Sequence, residues 1–299
     1  MNKTFGVIPE YISHTRNYDY EMVCGASGTD FPEEYEISRD NTGTLKNQGG
    51  VGACVAETIA QIAESFYQEE MSEGFTYGTF REPTLTGSGL IVSRAMDFWT
   101  SIGTLPKKYF DLLGEMPEMR QITNKFPDLH EIASRYKLKG YASINYADRT
   151  RRDNAIKDAL TKYNRGLVAV SNEYFGGGHC IVLTGWNDNK DKYKIKNSWG
   201  KTYGDNGFAE IPKDAINAVY VPFFEDIVLP FVDVKETDWF FKDVKAMYFA
   251  EMLKGTSDTT FEPDKPMTRA EMATLTNRIL KLIDERFDIF NRVMAEKLK

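Results

Sequence analysis

The sequence has few cysteines and no pattern that pairs them. Its 299 residues include only three cysteines, Cys24, Cys54 and Cys180, and no Cys-x-x-C pair. An odd number of widely spaced cysteines argues against a disulfide framework and against a cysteine-rich zinc site. We therefore expect at least one thiol to stay outside intramolecular disulfides, and we expect neither a metal nor a cofactor.

Dense basic runs and long apolar runs are missing as well. The formal net charge is −7, and the basic footprint that nucleic-acid binding requires is absent. No stretch approaches the ~20 apolar residues of a membrane span, and the N-terminal MNKTFGVIPEYISHTRNYDY lacks the apolar core of a secretory signal. We expect no nucleic-acid partner and no membrane span.

Changes in composition divide the chain into three regions. Residues 1–30 are polar and rich in turn formers, so we interpret them as an N-terminal extension or a short prosegment. Residues 31–229 begin with helical patterns and continue with short strands, which is typical of an α+β domain. A proline-bracketed apolar stretch ends this domain near Leu229, and residues 230–299 form a third region.

Helical periodicity is clearest after Cys54. Apolar residues recur there at steps of four, three and four: Val55, Ile59, Ile62 and Phe66. This stripe predicts a helix that begins at Cys54 and buries one face. A second helical pattern ends at Gly103 and a third closes at Gly166, while LVAVS, HCIVLTGW and KYKIKNSW predict antiparallel strands.

Cys54 combines a nucleophilic side chain with a helix start. Unpaired backbone N–H groups and the helix dipole favour the thiolate at such a position. A thiolate that attacks a carbonyl also needs a proton carrier, usually histidine. His130 fits a polar helix surface and His14 the irregular extension, whereas His179 follows three glycines at a strand start. A lone histidine in that setting is more often structural, so the prediction of a catalytic role for His179 depends on the residues that accompany it.

Two amide side chains supply such partners. Asn197, in NSWG, could accept the imidazole N–H and fix the ring, while Trp199 covers that bond from water. The amide N–H of Gln48, aimed with the backbone N–H of Cys54 at one point, would stabilise the oxyanion of an acyl-transfer intermediate. Cys180 follows His179 on the same strand, so the two side chains point to opposite faces of the sheet. We interpret Cys180 as a small buried residue.

Together these motifs resemble those of the papain-like cysteine proteases. QGGVGAC is similar to the nucleophile block of the family, GGHCIVLTGW to its histidine strand and KIKNSWGKTYGDNGFAEI to its Asn-Ser-Trp-Gly segment. The resemblance covers about residues 31–220 and implies a two-lobe fold, with a helical lobe and an antiparallel β lobe. It implies four roles: nucleophile for Cys54, general acid/base for His179, orienter for Asn197 and oxyanion donor for Gln48.

The sequence departs from the family at two positions. Val51 stands where many relatives have a disulfide cysteine, and Val55 replaces the tryptophan that commonly follows the nucleophile. Neither change removes a catalytic atom. GSGLIVSRAM loosely resembles the substrate groove of the family, and the resemblance implies four substrate-binding positions: Gly89, Leu90, Gly178 and Trp199.

The C-terminal region resembles one S-layer homology repeat and predicts a small all-α domain. The pattern has an FVDV opening, Trp239 on a first helix and TRAE from Thr268 onward. Thr268 and Glu271 have the spacing of a capping box, so a second helix begins there. This helix is predicted to reach Lys299 with an apolar stripe that packs on the chain's own domains or mediates homo-oligomerisation. Relatives use three such repeats to bind cell-wall polysaccharide, whereas we find one.

Three functions compete at this point. The first is a papain-like cysteine endopeptidase that acts on protein or peptide substrates, with the S-layer-like region serving cell-surface attachment or assembly. The second is a non-catalytic surface or particle module, and the third is a cysteine peptidase that acts on peptidoglycan stem peptides. The S-layer resemblance indicates a bacterium or its phage and a cell-surface or extracellular location. Without a visible signal peptide, a cytoplasmic or phage-particle location stays open.

Overall fold

The computed structural model describes most of the chain. The described residues are 7, 18–25, 27–81, 87–224, 229, 231–235, 237–249, 253–257 and 259–297. The chain folds as two units, residues 1–66 with 70–224 and residues 67–69 with 225–299. The sequence predictions for His14 and for the end of the last helix, residues 298–299, lie outside the described residues.

Helices make up the first part of the first unit. They are α1 (Tyr20–Cys24), α2 (Cys54–Tyr67), α3 (Glu73–Thr79), α4 (Val92–Ser101), α5 (Met116–Thr123) and α6 (Pro127–Ala133). α2 begins at Cys54, as its periodicity predicts. The expectation that α2 buries a single face is wrong, because Glu57 and Gln61 are as buried as the apolar stripe. α2 is a central helix that other elements surround.

Strands make up most of the rest of this unit. They are β1 (Tyr18–Asp19), β2 (Glu34–Glu36), β3 (Gly140–Ile144), β4 (Leu167–Ser171), β5 (His179–Asn187), β6 (Lys192–Lys196), β7 (Phe208–Pro212) and β8 (Ala218–Phe223). In the described part of the chain they form one sheet in the order β1-β3-β8-β4-β5-β6-β7, with β2 paired to β5. Only the β1–β3 pair among these is parallel. The predicted α+β class, with a helical part and an antiparallel part, is confirmed.

α7 (Arg149–Tyr163) covers the sheet. Small and branched residues of α7, including Ala155, Ile156 and Ala159, share one buried core with the strands. α7 ends before the predicted Gly166, because Asn164 adopts the left-handed conformation (φ 47°) that closes the helix. Asparagine tolerates this conformation better than most residues.

The hairpin of β4 and β5 positions the predicted histidine. Ser171 pairs with His179 at the loop end of the hairpin, so residues 172–178 lead directly to His179. All nine residues of β5 are buried. Cys180 is therefore buried, and this burial raises the pKa of its thiol well above the usual value. The interpretation of Cys180 as a small buried residue agrees with its position.

The second unit contains α8 (Phe241–Phe249) and α9 (Arg269–Lys297). The capping box is confirmed, since Thr268 N donates to Glu271 Oε2 (2.7 Å) and Glu271 N donates to Thr268 Oγ1 (3.2 Å). The expectation that Trp239 lies on the first helix is wrong. Trp239 precedes α8 in a turn and its side chain is 88% exposed. No helix in the described ranges is long and apolar enough to cross a membrane.

The aspartate of the FVDV segment, Asp233, is hydrogen-bonded to a later loop of this unit. The Asp233 carboxylate accepts hydrogen bonds from the backbone N–H groups of Phe261 and Glu262, at distances between 2.7 and 3.2 Å. These donors favour the ionised carboxylate and hold the pKa of Asp233 below its usual value. Phe231 meanwhile packs with Val234 and Val244 in a small apolar core.

Candidate active site

Cys54 lies at the N-terminus of α2, directly after a tight turn. Val51 N donates to Gln48 O (3.1 Å) and Ala53 N donates to Val51 O (2.8 Å). Gly49 enters this turn with a φ of 58°, which glycine adopts without strain. The side chain of Cys54 is buried. Its position at the positive end of the helix dipole favours a thiolate.

His179 and Asn197 are hydrogen-bonded in a defined orientation. His179 Nε2 and Asn197 Oδ1 are 2.8 Å apart, and the backbone N–H of Ser198 donates to the same Oδ1 (2.7 Å). Because the backbone N–H needs an acceptor, the Asn197 atom between them is the oxygen. Nε2 of His179 must then carry the proton. Nδ1 is consequently the ring nitrogen that can accept and return a proton.

Aromatic rings enclose this hydrogen bond. Trp199 stacks on the imidazole with ring centroids 4.6 Å apart and an interplanar angle of 25°. Phe175 meets His179 edge-on at 4.9 Å and Trp199 at 5.4 Å. The imidazole is fully buried, so water cannot weaken the hydrogen bond to Asn197. Phe175 was not predicted from the sequence, although its place four residues before His179 was a signal that could have indicated it.

Gln48 is joined to the same network. Its Oε1 accepts a hydrogen bond from Ser198 Oγ (2.6 Å), and its Nε2 donates to Val51 O (2.8 Å). The backbone N–H of Gln48 donates to Ser198 O (2.9 Å). These contacts fix which end of the amide is the nitrogen. Ser198 therefore links Gln48 to Asn197, a role that was not predicted from the sequence.

The predicted groove residues meet an N-terminal residue. Val7 pairs with Leu90 as an isolated parallel bridge, and Val7 N donates to Gly178 O (3.1 Å). A Cβ added to Gly178 would lie 2.8 Å from Val7 O, so glycine is required for this approach. Gly89 is held beside Leu90 by its N–H bond to the Tyr77 hydroxyl (3.1 Å). Trp199, the fourth predicted groove residue, stacks on His179.

The described cysteines and acidic residues form neither a disulfide nor a candidate metal site. None of the three cysteines, which all lie within the described residues, forms a disulfide. In the described part of the chain, no cluster of three or more His, Cys, Asp or Glu side chains could hold a metal ion. The arrangement of thiol, imidazole and two oriented amides suits nucleophilic acyl transfer.

Comparison with known proteins agrees with this geometry. Residues 149–221 match the papain family cysteine protease model. The fold resembles xylellain, a cysteine protease from Xylella fastidiosa, with a TM-score of 0.56 and 19% identity over 74% of this chain and 96% of that one. The first unit therefore has the fold of the papain-like cysteine proteases. Residues 230–273 match the S-layer homology domain model.

Curated relatives match this chain over different lengths. Peptidase 1 from Euroglyphus maynei is 22% identical over 234 residues, which are 69% of this chain and 68% of that protein. Gamete and mating-type specific protein A from Dictyostelium discoideum is 36% identical over 56 residues, 19% of this chain. The match spans only 12% of the length of the Dictyostelium protein.

Proposed function

We propose that the chain is a cysteine endopeptidase that hydrolyses peptide bonds through an acyl-enzyme on Cys54. The thiolate attacks the peptide carbonyl, and the oxyanion is stabilised by the Cys54 backbone N–H and the Gln48 amide. Nδ1 of His179 takes the proton of the Cys54 thiol and gives this proton to the leaving amine. It then takes a proton from the water that hydrolyses the thioester.

One observation carries this proposal. The 2.8 Å contact between His179 Nε2 and Asn197 Oδ1, with the oxygen identified by the Ser198 N–H, fixes the imidazole tautomer. The imidazole therefore presents Nδ1 for proton exchange with the thiol. A non-catalytic module has no need for a buried histidine whose orientation and tautomer are both set.

Cleavage of a peptide library by the full-length protein tests the proposal. We expect hydrolysis by the wild type and loss of at least a thousandfold in Cys54→Ala, because the nucleophile is removed. Cys24→Ser removes a thiol from another part of the unit and should keep full activity. A second reaction with purified cell wall separates a general peptidase from one that acts on peptidoglycan stem peptides. Full activity in Cys54→Ala, or no cleavage of either substrate by the wild type, would reject the proposal.

We also propose that residues 230–273 attach the protein to cell-surface polysaccharide. The S-layer homology match supports this attachment, and so does the exposed indole of Trp239, since aromatic rings bind sugars through their faces. Beside the start of α9 lies a cavity of about 440 Å³ whose lining includes Lys254, Lys265 and Arg278. Glu262 and Glu271 line the same cavity and Glu262 pairs with Lys265 at 2.6 Å, so Lys254 and Arg278 are the cations that would suit an acidic polysaccharide.

Self-association through α9 is the last part of the proposal. The family match ends at residue 273, whereas α9 continues to Lys297. Four apolar residues of α9 are exposed: Met272, Ile279, Leu280 and Ile283. An exposed apolar stripe of this kind marks a surface that packs against a partner. We expect the protein to be an oligomer by light scattering, and Ile279→Asp to dissociate it. A monomeric wild type would leave packing on the chain's own domains as the explanation.

A further inference from the structure

Lys196 is a buried lysine bound to neutral oxygen atoms. Its Nζ donates to Gly43 O (2.6 Å), Thr42 O (2.9 Å), Thr44 O (3.0 Å) and Thr42 Oγ1 (3.2 Å). The residue is only 2% exposed. Three successive carbonyl groups therefore converge on one ammonium. Carbonyl dipoles that converge in a buried place repel one another unless a positive charge lies between them.

These carbonyls begin the segment that carries the proposed oxyanion donor. We call residues 42–48 the oxyanion segment. It runs beside the chain that follows β6, through Gly200 N to Lys46 O (3.0 Å) and Gln48 N to Ser198 O (2.9 Å). Lys196 thus holds the first residues of the oxyanion segment, and Gln48 is its last residue.

The other side of the oxyanion segment presses on α2, the helix that Cys54 begins. Thr44 donates from both N and Oγ1 to Glu64 Oε2, each at 2.7 Å, and Lys46 Nζ is 2.6 Å from Glu64 Oε1. Gly43 has a φ of 72°, and a Cβ there would collide with the Gln61 carbonyl. The oxyanion segment is therefore clamped between α2 and Lys196.

We propose, on the basis of the peptidase function above, that Lys196 is a positioning residue: its ammonium gathers the carbonyls of residues 42–44 and so holds the Gln48 amide where the oxyanion forms. A methionine there would remove the donor that these carbonyls share, leaving the buried Thr42 O unpaired by it, and the oxyanion segment would shift to hydrate them. Small displacements of a group that acts on the transition state cost much rate. The thiol and the imidazole are attached to other elements and should keep their reactivity.

The charge environment of Lys196 gives the proposal a pH signature. Burial lowers the pKa of Lys196 to about 8; the Glu64 carboxylate partly opposes this shift and the Lys46 ammonium adds to it. The Phe208 ring of β7 faces Nζ at 5.6 Å from its centroid. Above that pH the Lys196 ammonium becomes a neutral amine. The amine has two N–H groups and hydrogen-bonds the three carbonyls more weakly.

A double-mutant cycle tests the proposal. The variants are Lys196→Met, Gln48→Ala and their combination, with Lys194→Met as the control, since Lys194 lies on the same strand but pairs with Glu34 and Glu36. Two rates are measured: kcat/KM for a peptide, which uses the oxyanion donor, and alkylation of Cys54 by iodoacetamide, which does not.

We expect Lys196→Met to lower kcat/KM about tenfold and to leave the alkylation rate within about twofold. In the Gln48→Ala background the same substitution should cost less than about twofold, because the group it positions is gone. Lys194→Met should change neither rate. Equal losses in both backgrounds, or alkylation that falls as far as hydrolysis, would overturn the proposal.

If Lys196→Met does not fold, a measurement on the wild type tests the proposal instead. The ratio of kcat/KM to the alkylation rate is followed from pH 7 to 9.5. We expect this ratio to fall with a midpoint near 8, the pKa of Lys196, and a flat ratio would overturn the proposal. Failure of the peptidase function itself looks different: the wild type then hydrolyses no peptide at any pH, and this inference falls with it.

Discussion

Ser198 Oγ donates a 2.6 Å hydrogen bond to Gln48 Oε1, while the backbone N–H of the same serine donates to Asn197 Oδ1. One residue therefore orients the two amides that the proposed reaction uses. It turns the oxygen of Asn197 toward His179 and the nitrogen of Gln48 toward the turn before Cys54. The tautomer of His179 and the orientation of the Gln48 amide are fixed together.

Replacing Ser198 with alanine should loosen only one of these amides. Ser198→Ala removes the hydroxyl bond to Gln48 and keeps the backbone N–H that holds Asn197. A lost hydrogen bond of this kind is worth about 1 kcal/mol, so we expect kcat/KM to fall about fivefold. Alkylation of Cys54 should keep its wild-type rate, because the imidazole keeps its orientation. A parallel loss of alkylation would show that Ser198 acts on His179 as well.

Val7 contacts the backbone of two residues that are predicted to bind substrate. Its N–H bonds to Gly178 O and it pairs with Leu90, two of the predicted groove positions. Val7→Pro removes the N–H donor, whereas Val7→Ala keeps it and serves as the matched control. We expect Val7→Pro to lower KM for a peptide several-fold and Val7→Ala to change it less. Equal KM values for wild type, Val7→Pro and a protein lacking residues 1–17 would contradict competition at this place.

Glu57 introduces a pH dependence of stability. It is 1% exposed, neither carboxyl oxygen has a hydrogen-bond partner in the described part of the chain, and burial raises its pKa well above the ordinary 4.5. The unfolded chain releases this proton near pH 4.5, but the folded chain keeps it to higher pH. The contribution of Glu57 to the free energy of unfolding is therefore complete below about pH 4.5 and is lost as the pH rises.

Urea unfolding of wild type and Glu57→Gln between pH 4 and 7 checks this sign. We expect the free energy of unfolding of Glu57→Gln to rise relative to that of the wild type as the pH rises, by up to about 1.4 kcal/mol per pH unit. Glu131→Gln, at an exposed position on α6, should follow the wild type at every pH. A constant difference between Glu57→Gln and wild type would mean that the carboxyl group is ionised in the folded protein.

Trp239 tests the proposed wall attachment without disturbing the core. Because the indole is 88% exposed, Trp239→Ala should leave the unfolding temperature unchanged within about 1 °C. We expect it to reduce co-sedimentation with purified cell wall at least fivefold. Val232→Ala, another substitution at an exposed apolar residue, is the control and should sediment as the wild type does. Equal sedimentation of all three proteins would contradict attachment through this indole.

The sequence predicted features that depend on local patterns. Cys54 begins a helix because a Gly-rich turn is followed by helical periodicity, and His179 begins a strand because glycines end where β-branched residues start. Both patterns span fewer than about twenty residues, so they can be read without knowledge of the fold. The same holds for the capping box of Thr268 and Glu271, which needs only a spacing of three.

The features that were missed depend on contacts between distant segments. Nothing in the residues around Val7 indicates Gly178 as its neighbour. The all-round burial of α2 was missed because Glu57 and Gln61 are polar residues, which periodicity assigns to a solvent face. Lys196 likewise looks like an ordinary strand lysine until the fold brings the carbonyls of residues 42–44 around it.

We expect one thiol, that of Cys54, to perform the chemistry. Full-length protein is treated with a thiol-directed epoxide, the adducts are located by mass spectrometry, and residual peptide hydrolysis is measured in the same samples. We expect a single adduct, on Cys54, with Cys24 and Cys180 unmodified and hydrolysis lost in proportion to the adduct. Hydrolysis that continues when Cys54 is fully modified would contradict the account.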